Sequence, residues 1–475
     1  MLIGREKETN YLKSTLMDQE SHFIAVYGRR RIGKTFLVRQ SFDGRFTFEH
    51  SGLSNAKTKE QLQAFSSSLN EAGLSIKKRP NNWLEAFDYL KELIKKSNEK
   101  KKIIFIDELS WMDNRGSDLI TALENFWNAW ASKRSDIVLI VCSSATSWIL
   151  SNVIHNKGGL YNRLTGQIQL KEFSLYECEE FVKSKNLILN HEQILEYYMI
   201  FGGVPYYWNF IEKGLGITQN IDRILFAEDA ILKDEFKYLF ASIFKKPEVH
   251  IKIVETLATK KIGMTRNEII ENANINNSGD LSKKLEELEY CGFIRRINPF
   301  KVNKKNAIYQ LIDHFTLFYY QFIKQHVSDE NFWTNQINTP KVNTWKGLAY
   351  ERICLNHIKQ IKRKLGISGV LTNVNSWSCK KDDELGLFGS QIDLLLVRND
   401  QIINLCEIKY YKTELKIDEK LNTSINHKIN DFMISTKTRY SIHPTIITTV
   451  GLIDNEFAKN IQSVIVLNDL FEKDF

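Results

Sequence analysis

Phe23-Ile24-Ala25-Val26-Tyr27 runs directly into Gly28-Arg29-Arg30-Arg31-Ile32-Gly33-Lys34-Thr35. The apolar run reads as a buried strand, and residues 28–35 fit a phosphate loop of the form Gly-x-x-x-x-Gly-Lys-Thr that opens a helix. The spacing has a mechanical reason. Glycines let backbone N–H groups wrap a phosphate, and the helix amino terminus adds its dipole. The Lys34 ammonium reaches the β- and γ-phosphates, and the Thr35 hydroxyl reaches Mg2+. Gly28, Arg29, Arg30, Arg31, Ile32, Gly33, Lys34 and Thr35 are therefore the expected ATP-binding set.

Further along, Lys102-Ile103-Ile104-Phe105-Ile106-Asp107-Glu108 is an apolar strand that ends in two carboxylates. About 70 residues after a phosphate loop, this pair reads as a Mg2+ ligand, Asp107, and a general base for the attacking water, Glu108. Residues 137–142 form a third apolar run, closed by Ser143 and Ser144, which read either as sensors of the γ-phosphate or as loop starts. Arg163 is either an arginine finger that stabilises charge on the transferring phosphoryl group or a surface arginine. Strand-sized runs separated by stretches of helical period predict a parallel α/β domain.

The rest of the chain changes texture. Beyond about Leu170 the segments 174–185 and 193–201 look helical and are broken by Gly202-Gly203-Val204-Pro205. A helix start at Thr265, a turn near 276–279, a second helix and a turn at Pro299 predict a winged helix. From Trp345 a helix leads to strands at 392–397 and 402–408, a second α/β unit. The expected division is an ATPase core at 1–172, a helical lid at 173–245, a winged helix at 246–325 and a C-terminal domain at 340–475. A length of 475 residues suits several domains rather than one. With 43% hydrophobic and 26% charged residues, collagen-like and wholly disordered chains are excluded. The 65 basic and 57 acidic residues leave +8 and a pI near 8.9, which permits nucleic-acid contact. Six scattered cysteines, without a Cys-x-x-Cys pair, suggest neither a zinc module nor a disulfide framework. With no signal-peptide core and no membrane-length apolar run, the sequence predicts a cytoplasmic protein without a membrane partner.

These motifs together resemble the archaeal-type ATPases of the AAA+/STAND group. The resemblance rests on Ile3-Gly4-Arg5-Glu6, the 28–35 loop, Ile106-Asp107-Glu108 with Trp111, Leu160-Tyr161-Asn162-Arg163 and Gly202-Gly203-Val204-Pro205-Tyr206-Tyr207. It implies an additional-strand P-loop NTPase core (ASCE/AAA+-like) with a helical lid, Pro205 near the adenine and Arg163 facing the phosphates. Two positions depart from the pattern: Ser143 and Asn162 stand where glycine is common.

Within the expected winged helix, residues 278–290 carry two lysines against four acids, which argues against deep groove reading. The wing carries Arg295, Arg296, Lys301, Lys304 and Lys305 with no acid, which suits phosphate contact. The module reads as DNA-binding or as a packing element that relays nucleotide state. In the last segment Asp393 opens one strand, while Glu407 and Lys409 close the next on one face. With Glu351 on the preceding helix, this order resembles the PD-(D/E)XK nuclease motif of restriction-endonuclease-like domains. The resemblance implies Mg2+ held by Glu351, Asp393 and Glu407, with Lys409 assisting hydroxide. Trp377, Tyr410 and Tyr411 read as base-stacking or core residues. The expected activity is a Mg2+-dependent ATPase whose cycle is coupled to a nuclease-like domain acting on DNA. The alternative is an ATP-dependent switch that binds a protein partner through a catalytically inactive C-terminal domain; a homo-oligomer is a further expected partner state.

Overall fold

The computed structural model describes residues 2–244, 246–277, 279–300, 307–325 and 329–473. Five strands, β1 (His22–Tyr27), β2 (Phe48–Ser51), β3 (Lys102–Asp107), β4 (Ile137–Ser143) and β5 (Gly166–Gln169), form a parallel sheet in the order β2-β3-β4-β1-β5. Strand β4 is inserted between β1 and β3, as the additional-strand expectation requires. Both faces are buried, so β1 reads as a continuous apolar run. Ile24 and Val26 pack with Leu37, Val38 and Phe105 on one face, whereas Phe23 and Ala25 pack with Phe65, Phe87 and Ile106 on the other. The strand ends Tyr27, Asp107 and Ser143 line one edge, where ligand sites of open parallel sheets form.

Helices come next at Leu175–Ser184, His191–Phe201, Pro205–Trp208 and Glu235–Ile243. The first begins with Ser174, whose side chain accepts from the Glu177 N–H in a capping box. After the helix Glu248–Ala258 come β6 (Met264–Thr265), the helices Arg266–Ala273 and Gly279–Tyr290, β7 (Ile294–Ile297) and β8 (Ile308–Leu311). These three strands form an antiparallel sheet in the order β6-β8-β7. Thr265 caps its helix with Glu268 at the third position, the start signal present in the sequence. The wing lysines Lys301, Lys304 and Lys305 lie outside the described residues.

The last segment has the helix Pro340–Asn356, then β9 (Thr372–Ser378), β10 (Gln391–Arg398), β11 (Ile402–Lys409), the helix Glu419–Thr436, β12 (Ser441–Thr448) and β13 (Ser463–Ile465). The sheet order is β13-β12-β11-β10-β9; β9, β10 and β11 are antiparallel neighbours, while β11, β12 and β13 run parallel. One apolar cluster runs from Phe173 through Trp208, Phe293, Trp333 and Tyr350 to Phe471, so the helices after β5, the small sheet and the last segment share a core. No helix among the described residues is long and apolar enough to cross a membrane.

His357 stitches this assembly together. Its Nδ1 donates to the Ile353 carbonyl at 2.7 Å and its Nε2 accepts the Leu175 N–H at 3.0 Å. Burial, which disfavours the charged imidazolium, lowers its pKa to about 4. The folded pKa lies below the unfolded value, so this stabilisation is complete above about pH 6.5 and is lost as pH falls towards 4. Chemical denaturation between pH 7 and 5 is expected to show stability falling with acid. In His357→Gln that slope should be shallower by up to about 1.4 kcal/mol per pH unit.

Candidate functional site

The turn after β1 wraps because glycine allows it. Gly28 has φ +141°, and a Cβ there would lie 2.3 Å from the Leu170 carbonyl oxygen. Gly33 has φ +89°, again a conformation that side chains disfavour. Lys34, buried, opens the helix Lys34–Ser41 and donates to the Gly28 and Arg29 carbonyls at 3.0 Å each. The Thr35 hydroxyl donates to Asp107 Oδ2 at 2.6 Å, and Asp107 Oδ1 accepts the Glu108 N–H at 2.9 Å. A hydroxyl and a carboxylate meet beside a loop whose Gly28 has no room for a Cβ. This donor set fits a triphosphate with Mg2+, a hard cation that takes few protein oxygens.

Glu108 sits in the left-handed region at φ +46°. Its Oε2 accepts from both the N–H and the hydroxyl of Ser144, at 3.0 and 2.8 Å. Ser144 thus touches the expected base directly, while Ser143 Oγ donates to Ser110 Oγ at 2.9 Å. Arg163 is exposed, and Asn162 before it has φ +54°, a conformation asparagine tolerates where glycine is common. Pro205 begins the helix Pro205–Trp208, next to Tyr206, whose ring lies 4.2 Å below the Arg31 guanidinium.

Two loop arginines face away from the cradle. The Arg29 guanidinium is buried, pairs with Glu172 at 2.5 Å and with Asp313, and covers the Phe293 ring at 5.1 Å. Burial opposes its charge, but Asp313 and Glu172 outweigh that and raise its pKa. Arg31 pairs with Glu235, which also accepts from the Tyr207 hydroxyl at 2.8 Å. The Arg29 and Arg31 side chains are engaged by Glu172, Asp313 and Glu235, which leaves their backbones to the loop that the sequence assigns to ATP. Arg30 is partly exposed, and Ile32 is core. The sequence reading missed Glu172, Glu235 and Asp313. The available signal was a lone acid in an apolar setting, as in Leu311-Ile312-Asp313-His314-Phe315.

In the last segment the pairing of β10 with β11 runs to Leu394 and Cys406, and Asp393 and Glu407 are the next residues along their strands. Lys409 Nζ lies 2.9 Å from Glu407 Oε1 and Lys428 Nζ 2.6 Å from Oε2. Burial opposes the Glu407 charge, yet the two lysines prevail and lower its pKa. Asp393 accepts from Gln391 Nε2 at 2.5 Å. Glu351 is pushed up to about 7, first by burial and then by Asp393. Arg352 and Arg295 stand beside this pair; burial lowers them to about 10 and 9, so both remain charged at neutral pH. Among the described residues no three Asp, Glu, His or Cys side chains are gathered closely enough to hold a metal. Sequence reasoning missed Lys428 and Gln391. Trp377 packs 5.2 Å from Phe432 and Tyr410 5.8 Å from Tyr350, as core; Tyr411 is exposed.

Comparison with known proteins bears on the first part of the chain. Residues 2–209 match the family model described as an ATPase domain predominantly from Archaea. The chain is 24% identical over 415 residues to an uncharacterized protein of Methanocaldococcus jannaschii, covering 86% of this chain and 88% of that one. It is 23% identical over 362 residues to an uncharacterized ATP-binding protein of the same organism, covering 65% and 98%. Among solved structures it is similar to the Walker-type ATPase of Pyrococcus abyssi, with 16% identity, a TM-score of 0.47, and coverage of 68% and 96%. The match over residues 2–209 supports an ATPase-type domain there, with ATP binding and ATPase activity.

The buried Arg29 cluster is the test of this geometry. Arg29→Ala leaves Asp313 and Glu172 without their cation and should cost about 3–5 kcal/mol in chemical denaturation. Arg30→Ala, on the same loop without a buried partner, should cost under about 1 kcal/mol.

Proposed function

We propose that the chain is a Mg2+-dependent ATPase of the AAA+/STAND kind whose cycle is coupled, through a winged helix, to a PD-(D/E)XK-like C-terminal module acting on DNA. The observation that carries the ATPase chemistry is the meeting of Thr35, Asp107 and Lys34 at the glycine cradle. Thr35 and Asp107 would hold Mg2+, whose charge, when bound, would neutralise the phosphate oxygens. Lys34 exchanges two loop carbonyls for phosphate oxygens. Glu108 has Oε1 available for the attacking water while Ser144 holds Oε2. Pro205 is proposed beside the adenine, and exposed Arg163 as the arginine that faces phosphate from the same chain or a neighbouring copy.

The helix–sheet–helix order from Pro340 to Thr448 and the nearness of Glu351 to Asp393 support the nuclease-like reading of residues 340–475. Likewise, the three helices and three strands from Glu248 onward support the winged helix of 246–325, with 173–245 as the lid and 1–172 as the core. The second reading, an inactive module that binds a protein partner, draws on Glu407. Both its oxygens are taken by lysines, as a structural ion cluster requires.

Lys34→Ala is expected to abolish ATP binding in calorimetric titration while the fold is kept; affinity equal to the unsubstituted protein removes the loop assignment. Glu108→Gln should still bind ATP but hydrolyse it at least about 100-fold more slowly.

Linear and supercoiled DNA incubated with Mg2+ or Mn2+ decides between the two readings. A nuclease should cleave, and should lose cleavage in Asp393→Ala and Glu407→Ala while ATPase activity persists. A partner-binding module should leave the DNA intact under every condition.

A further inference from the structure

We propose that the small antiparallel sheet is a lid on the C-terminal acidic pocket, held shut by the Arg29–Asp313 pair and released when nucleotide phosphate takes Lys34. The importance of this closure for catalysis rests on the nuclease-like reading of residues 340–475; the closure itself rests on contacts.

The pocket lies between Ile297, Pro299 and Gln310 on one wall and Glu351 and Asp393 on the other. Its volume of about 40 Å3 holds a few waters and excludes a nucleotide. The chain after β7 seals the edge of the larger sheet. The Phe300 N–H donates to the Ser376 carbonyl at 2.9 Å, and Asn375 Nδ2 donates to the Asn298 carbonyl at 3.0 Å. The Phe300 ring packs 5.3 Å from Phe432. Arg295, held by Gln310 Oε1 at 2.8 and 2.9 Å, brings a cation from the lid to the Asp393 side of the pocket. A nucleic-acid strand has no entry while these contacts persist.

The other end of the same sheet is tied to the phosphate loop. Asp313 lies two residues beyond β8, and its N–H donates to the Phe293 carbonyl at 3.2 Å, so Asp313 moves with β7 and β8. Its carboxylate pairs with Arg29. The Arg29 carbonyl in turn accepts from Lys34 Nζ. An arriving phosphate competes for that ammonium, frees the Arg29 carbonyl and biases the loop away from the conformation that reaches Asp313. Arg352 Nε, which donates to the Leu311 carbonyl at 3.3 Å, links β8 to the pocket wall. A ligand shifts such an equilibrium only by its differential affinity for the two states, and Lys34 supplies that difference.

Hydrogen exchange of the full chain measures the closure directly. With Mg2+ and a non-hydrolysable ATP analogue, amides at 298–300 and 372–378 should exchange about tenfold faster than without nucleotide, while β3 and β4 stay protected. Asp313→Asn should give the same acceleration without nucleotide. Should that variant not fold, Phe300→Ala at the far contact should do so. Unchanged exchange at both segments, with analogue binding verified by titration, overturns the lid. Acceleration in a protein that cleaves no DNA keeps the lid and removes the nuclease. Cleavage with unchanged exchange keeps the nuclease and removes the lid.

Discussion

A guanidinium with 3% of its side chain exposed must find its counter-charges inside the protein, because it cannot shed its proton. Arg29 finds two, Glu172 just beyond β5 and Asp313 just beyond β8, 143 and 284 residues away in sequence. That demand determines where the halves of the molecule meet. The phosphate loop cannot be built in its observed form unless the small-sheet region is docked against it. The Phe293 ring under the guanidinium adds an apolar floor to the same contact. Arg31 repeats the arrangement with Glu235 and the Tyr206 ring, so the loop is gripped from the lid as well.

This division of labour separates the backbone of the loop from its side chains. The backbone, with Lys34 and Thr35, provides the phosphate cradle. The arginines provide adhesion to other parts of the chain. A loop held by both is poised to report its occupancy, since what disturbs its backbone disturbs its ion pairs. Ser144 does something similar for Glu108, fixing one carboxylate oxygen from the neighbouring strand β4.

Much of the core was legible in the sequence. Strands β1, β3 and β4 are apolar runs buried on both faces, and the glycine–lysine–threonine spacing has few mechanical uses. Strands β2 and β5 were not legible: each has four residues, Phe-Glu-His-Ser and Gly-Gln-Ile-Gln, at the sheet edges, where one side faces solvent and the apolar signal is diluted. The helix starts at Ser174 and Thr265 carried capping boxes and were readable. The partners of the Arg29 and Arg31 side chains were not legible, because Glu172, Glu235 and Asp313 are remote in sequence. Asp393 near the start of β10 and Glu407 near the end of β11 were legible as strand residues, since a short turn joins two apolar runs. Lys428 was not, because a lysine on a helix gives no sign of the sheet it covers.

The C-terminal pocket carries a consequence in its charges. Glu351, Asp393 and Glu407 are attended by Arg295, Arg352, Lys409 and Lys428, four cations for three carboxylates. Closed, the cluster is already compensated by the chain itself, and a divalent cation gains little by entering. Of the four, only Arg295 belongs to the small sheet. Withdrawal of that sheet would remove one positive charge from beside Asp393 at the moment it admits water. Opening and charge change are therefore one event: the motion that would let a polyanion approach also makes the pocket more receptive to the cation that a polyanion needs as a bridge.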